Sequence, residues 1–125
     1  QREGAAPDRG PPPGARALAG PADLVGRWRY GTKEYRILER AGAPLFFEGP
    51  HSTHGTVVGE LRPRPRGPWL QAELRPRAAA PGAAAVGDIR ICLLAERDTA
   101  VSNYRGASKA EWGRDISAQR VSLQP

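Results

Sequence analysis

From residue 25 onward, apolar side chains recur at every second position in one short segment after another, and that period fixes the fold class. Residues two apart share one face of a strand, whereas a helix needs spacings of three and four. Val25 to Tyr30 sets Trp28 and Tyr30 on one face, and Lys33 to Glu39 sets Tyr35 and Ile37, with Lys33 and Glu39 in phase at its ends. Pro44 to Glu48 is a short apolar run, and Thr56 to Leu61 carries Val57, Gly59 and Leu61 in phase. Trp69 to Arg75 alternates Leu70, Ala72 and Leu74 against Trp69, Gln71 and Glu73. Val86 to Ala95 is the clearest case, with Ile89, Ile91 and Leu93 against Arg90 and Cys92. Thr99 to Arg105 and Arg114 to Val121 complete the set, the latter with Ile116, Ala118 and Arg120 in phase. Gly, Pro, Asn, Asp and Ser punctuate the gaps. The pattern predicts an all-β domain, an antiparallel meander of about seven or eight strands. Such a meander hides its edges by curling into a closed or nearly closed small barrel. Gly26, Trp28, Tyr35, Ile37, Trp69, Ile89, Ile91 and Trp112 are its expected core. Helical signals are thin: Ala107 to Glu111 has room for one turn, with Ser108 and Glu111 at capping-box spacing. Ala78 to Ala85 is interrupted by Pro81-Gly82 and reads as a loop.

Residues 1–24 differ in kind. They are mostly Ala, Gly and Pro with no aromatic residue, too little apolar bulk for a core. Pro7, Pro11, Pro12, Pro13 and Pro21 favour an extended, polyproline-like path. Two regions follow, an extended tail over 1–24 and a β-barrel-like domain over 25–125. The tail is expected to lie as a strap on a partner, with Pro11, Pro12 and Pro13 at the contact. The chain begins with Gln and contains no Met, as removal of a targeting peptide or an upstream segment would explain.

The formal net charge is +6, and of nineteen cationic side chains only Lys33 and Lys109 are lysines. Arg2, Arg9 and Arg16 in the tail are offset by Glu3, Asp8 and Asp23, so the excess lies elsewhere. Segment 62–77 concentrates it in Arg62, Arg64, Arg66, Arg75 and Arg77 against Glu73. A local basic patch points to acidic protein, phosphate or anionic lipid headgroups. In Arg62-Pro63-Arg64-Pro65-Arg66 the prolines fix the backbone and space the guanidinium groups, and the missing amides keep this stretch out of a central strand. Arginine clamps carboxylate or phosphate in bidentate fashion, so these five arginines are the candidate partner-binding residues. Nucleic acid is a weaker candidate, because the eight aromatic residues sit mainly in strand patterns.

Cys92 is the single cysteine, which rules out an intrachain disulfide and a thiolate metal cluster. No apolar run approaches the ~20 residues of a membrane-spanning helix. His51 and His54 flank a turn after Gly49-Pro50, too few ligands for a zinc site. No nucleophile–base pair stands out, and Asp88, Asp98 and Asp115 fall at turns, where turn chemistry accounts for them. Neither catalysis nor a cofactor is expected.

Two resemblances extend this reading. Gly26-x-Trp28 at the first strand resembles the opening of lipocalin-type barrels. In that family the glycine permits close packing at the barrel floor, the tryptophan closes that end, and an arginine from a late strand covers its ring. Arg105 and Arg120 are the candidates for that arginine. The chain is shorter than is usual there and lacks the paired cysteines. The second resemblance takes in Gly26-x-Trp28, Tyr35-x-Ile37, Gly59-x-Leu61, Trp69 to Leu74, Gly87-Asp88-Ile89-Arg90-Ile91, Ser102-Asn103-Tyr104-Arg105 and Trp112-Gly113-x-Asp115-Ile116-x-Ala118-x-Arg120. In that order they look like a small β domain recurring in algal proteins without assigned activity. It implies an organellar, plastid context and no catalytic residues.

The leading expectation is a non-enzymatic accessory subunit of a large organellar assembly, a thylakoid-associated photosynthetic supercomplex foremost. Its partners would be other protein subunits and anionic lipid headgroups, with no transmembrane segment. The alternatives are an organellar ribosomal or RNA-bound protein, and a lipocalin-like carrier of a pigment or lipid. An interior cavity of several hundred Å3 would favour the carrier.

Overall fold

A computed structural model describes residues 10–16, 23–39, 45–65, 67–80, 82–95 and 98–121. Among these the strands are β1 (Ala15–Arg16), β2 (Gly26–Tyr30), β3 (Lys33–Glu39), β4 (Leu45–His51) and β5 (Gly55–Glu60). β6 (Arg62–Pro63), β7 (Leu70–Pro76), β8 (Gly87–Leu94), β9 (Thr99–Gly106) and β10 (Ile116–Arg120) follow. Eight of them form one antiparallel sheet in the order β2-β3-β4-β5-β7-β8-β9-β10, and β10 returns to β2 through Gln119 opposite Arg29 and Arg120 opposite Trp28. The meander therefore closes into an eight-stranded barrel. Closure gives the backbone groups at both ends of the sheet a partner.

Period-2 alternation translates directly into inside and outside. Trp28, Tyr35, Ile37, Phe47, Val57, Leu74, Ile89, Ile91 and Leu93 belong to one buried cluster that fills the barrel. Arg90 and Cys92, in the opposite phase of β8, point outward. An eight-stranded barrel has an interior just wide enough for its own side chains or one small ligand. The balance between those outcomes differs along the axis. One end holds the start of β2, the end of β10 and the β8–β9 turn. The other holds the β2–β3 and β4–β5 turns with the β7–β8 and β9–β10 connections.

β1 and β6 are additions to the eight. β6 borders the start of β7, Arg62 opposite Gln71, as befits a proline-bearing edge strand. β1 pairs with the last residues of β8, Ala15 opposite Leu94, beyond the point where β7 stops at Ile91. The expected contact of Pro11, Pro12 and Pro13 with another chain sits beside this pairing, which involves only Ala15 and Arg16. The prolines lead into a turn closed by Ala15 N–H donating to Pro12 O, after which the tail joins its own barrel. The reason is an outward apolar patch of Trp69, Cys92 and Val101, against which Ala15 and Leu94 pack. Covering such a patch with one's own chain costs less ordering entropy than recruiting a partner.

Trp112 is a correction. Expected in the core, it is half-buried on the outer wall in the β9–β10 connection. The one-turn helix expected at Ala107 to Glu111 is a turn instead, closed by Lys109 N–H donating to Gly106 O. Among the described residues no helix is long and apolar enough to cross a membrane.

Candidate ligand site at the barrel mouth

The closed end is built on the Gly-x-Trp opening. Trp28 is fully buried, and its indole N–H donates to Leu24 O at 2.9 Å. The Arg120 guanidinium lies 4.5 Å from the centroid of the Trp28 ring, so Arg120, rather than Arg105, is the covering arginine. Arg120 also donates to the carbonyls of Val25 and Asp23 and pairs with Asp98 at 3.2 Å. Gly26 has φ +143°, and a Cβ there would stand 2.8 Å from Arg120 Nη1. The positive φ strains any side chain at residue 26, and one would also have to push the Arg120 guanidinium aside. Among the described residues, the Trp28 indole and the Arg120 guanidinium both find their partners inside this floor.

The opposite end is open. Between the barrel walls lies a cavity of about 310 Å3, lined chiefly by Tyr30, Tyr35, Phe47, Val57, Leu74, Ile89, Ile116 and Tyr104. Three tyrosines and a phenylalanine give it aromatic walls, with the Tyr35 ring 5.2 Å from Phe47 and 5.8 Å from Tyr30. Tyr35 is only 2% exposed, yet its hydroxyl has no hydrogen-bond partner among the described residues. Burial, with Tyr30 and Cys92 nearby, raises its pKa so far that the hydroxyl keeps its proton at any physiological pH. A buried hydroxyl left this way costs roughly 1–3 kcal/mol.

The rim is fixed by His51 and Tyr104. Tyr104 O–H donates to Val86 O at 2.8 Å, so at 3.1 Å the His51 Nε2 must be the donor to Tyr104 oxygen. His51 Nδ1 is then the acceptor, and it takes the N–H groups of Thr53 at 3.0 Å and His54 at 3.2 Å. The imidazole thus works as a neutral cap on the β4–β5 turn. Desolvation, then the adjacent His54, lowers its pKa. Gly87 makes room for this rim: a Cβ there would come within 2.4 Å of Tyr104 Oη and of Arg105 O.

The arginine candidates do not converge on one clamp. Arg62 bonds Glu60, Arg75 bonds Glu73 at 3.2 Å, and Arg77 shares the buried Glu48 with Arg36. Arg62, Arg64 and Arg75 line an open outer groove of about 810 Å3 over β5, β6 and β7, with Phe46 also in its lining. Arg66 lies outside the described residues. Neighbouring carboxylates answer much of the local positive charge.

Sequence reading missed an outer-wall stack centred on Arg90. This side chain is fully buried, with its guanidinium 4.2 Å from the Trp69 ring and 4.5 Å from the Trp112 ring. Arg105 adds a second cation 4.4 Å from Trp112. Arg90 Nε donates to Asn103 at 2.6 Å, and Asn103 in turn donates to Asp115 at 2.6 Å. The only advance signal was an arginine inside the apolar run from Ile89 to Leu94. Trp69 is buried under this cation and offers no stacking face to a nucleobase. Cys92 sits in the same layer, its thiol pushed up to about 12 by burial and Asp115, so it stays protonated.

No protein family, curated protein or solved structure matches this chain.

Proposed function

We propose that this protein binds one small, largely apolar ligand in the mouth of its barrel and acts as a carrier rather than an enzyme. The observation that carries this reading is the buried Tyr35 hydroxyl, unpartnered, at a cavity of about 310 Å3. That volume is at the small end of the range for ligand pockets, which are mostly apolar with a few placed polar groups. Aromatic walls supply the apolar contact and Tyr35 supplies the polar one. The test is a titration of isotope-labelled protein with the neutral probe 2-naphthol, followed by amide and aromatic chemical shifts. Shifts confined to Tyr30, Tyr35, Ile89, Tyr104 and Ile116 support the site. Saturable shifts at Trp28 and Arg120 instead would remove it.

A second reading keeps one observation in its favour. The groove lined by Arg62, Arg64 and Arg75 offers a face for an acidic partner, as an accessory subunit of a large assembly would need. Its placement in a plastid photosynthetic complex rests on the algal resemblance alone. Arg62→Gln with Arg75→Gln should lower co-purification with such an assembly at low salt, with the difference shrinking as salt rises. Unchanged retention would leave the groove without that role.

A further inference from the structure

We infer that the mouth selects a small organic acid, an anionic head on a compact aromatic body, with Lys33 as the headgroup anchor. The inference rests on the cavity reading above and concerns the chemistry of its rim. Among the residues that line the cavity, Lys33 is the sole lysine or arginine, and no aspartate or glutamate is among them. Lys33 stands at the open end of β3, in phase with inward-facing Tyr35 and Ile37, so its stem continues the inner face up to the lip.

The ammonium is available to a ligand. Its neighbour Glu34 faces the outer wall, where Arg27 at 3.3 Å and Arg29 at 3.1 Å hold it, and hydrogen bonding from Arg29 lowers its pKa. Among the described residues no salt bridge involves Lys33. The other rim groups are neutral: His51 is fixed as the uncharged tautomer, and Ser52 is a hydroxyl. Within the cavity lining an anion meets one cation and no carboxylate, while a cationic ligand meets repulsion; Glu34 and Glu48 border Lys33 only on an outer groove, where arginines hold them. The aromatic body fits the walls of Tyr30, Tyr35 and Phe47, and the buried Tyr35 hydroxyl can bond a polar atom at its far end. A lone exposed lysine attracts an anion weakly in water, so the head adds selectivity and the aromatic body supplies most of the affinity.

Calorimetric titration with a matched pair, 2-naphthoate and 2-naphthamide, separates the two ideas. We expect 2-naphthoate to bind about three- to tenfold more tightly at low salt, with the difference shrinking as ionic strength rises. Lys33→Gln should bring the two affinities together without changing the melting temperature, because this side chain is exposed. Lys33→Arg should restore the preference. Equal affinities in the unmodified protein, or a preference that survives Lys33→Gln, would overturn the anion selectivity and leave the cavity reading standing. Binding of neither probe would overturn both.

Discussion

The two ends of the barrel are made from the same strands and reach opposite solutions. At the floor, Trp28 is capped by Arg120, bonded to Leu24 O and approached by a glycine at positive φ. At the mouth, paired aromatic rings of similar bulk line a cavity, and the buried Tyr35 hydroxyl lacks a partner among the described residues. On the proposed reading, the satisfied end stabilises and the unsatisfied end recognises a ligand. The contrast assigns stability to Trp28 and Arg120, and binding to Tyr35 and its neighbours.

The sharpest way to break that assignment is Trp28→Ala. Emptying the floor should cost about 3–5 kcal/mol in chemical denaturation. A loss below about 1 kcal/mol would put the two ends on a par. Arg120→Gln is expected to cost about 1–3 kcal/mol, because it removes the cation from the ring and uncovers the Asp23 and Val25 carbonyls. At the mouth the sign changes. Tyr35→Phe should alter stability by less than about 1 kcal/mol, or raise it, since it deletes a buried hydroxyl that bonds nothing among the described residues. The same variant should weaken 2-naphthol binding several-fold, and a large stability loss with intact binding would reverse the roles.

The smallest effect belongs to pH. The His51 pKa is lowered in the folded protein, so below the ordinary value of about 6.5 the unfolded chain takes up a proton that the folded chain resists. Its contribution to stability is therefore full above that value and is lost as pH falls towards the lowered folded one. His51→Asn keeps an acceptor for the turn amides and does not titrate. It should flatten the decline in melting temperature just below pH 6.5, and an unchanged slope would assign that decline to other groups.

Much of the floor was legible in the sequence because it depends on local order. Gly26 and Trp28 share one strand, and only the choice between Arg105 and Arg120 had to come from strand pairing. The barrel strands were legible for the same reason, most carrying their own period-2 pattern, while β4 showed only as a short apolar run. The mouth was not. Tyr30, Tyr35 and Tyr104 come from three strands, and whether their rings meet or stand apart depends on register, turn length and Gly87. Arg90 was hidden for a related reason: its burial comes from Trp69 and Trp112, distant in sequence and folded over the outer wall. Proline content in the tail suggested an extended path but could not say whose surface it follows. The patch around Trp69 and Cys92 holds Ala15 against the barrel, a contact the sequence did not announce.

The most direct measurement fills the mouth and leaves the floor alone. Ile116 lines the cavity from β10 and is partly exposed, so Ile116→Phe adds bulk to the opening without disturbing Trp28. Calorimetric titration of 2-naphthol into Ile116→Phe should show binding weakened at least tenfold, at a melting temperature equal to or above that of the parent protein. Affinity equal to the parent's, in a variant just as stable, would mean that the ligand does not enter the barrel.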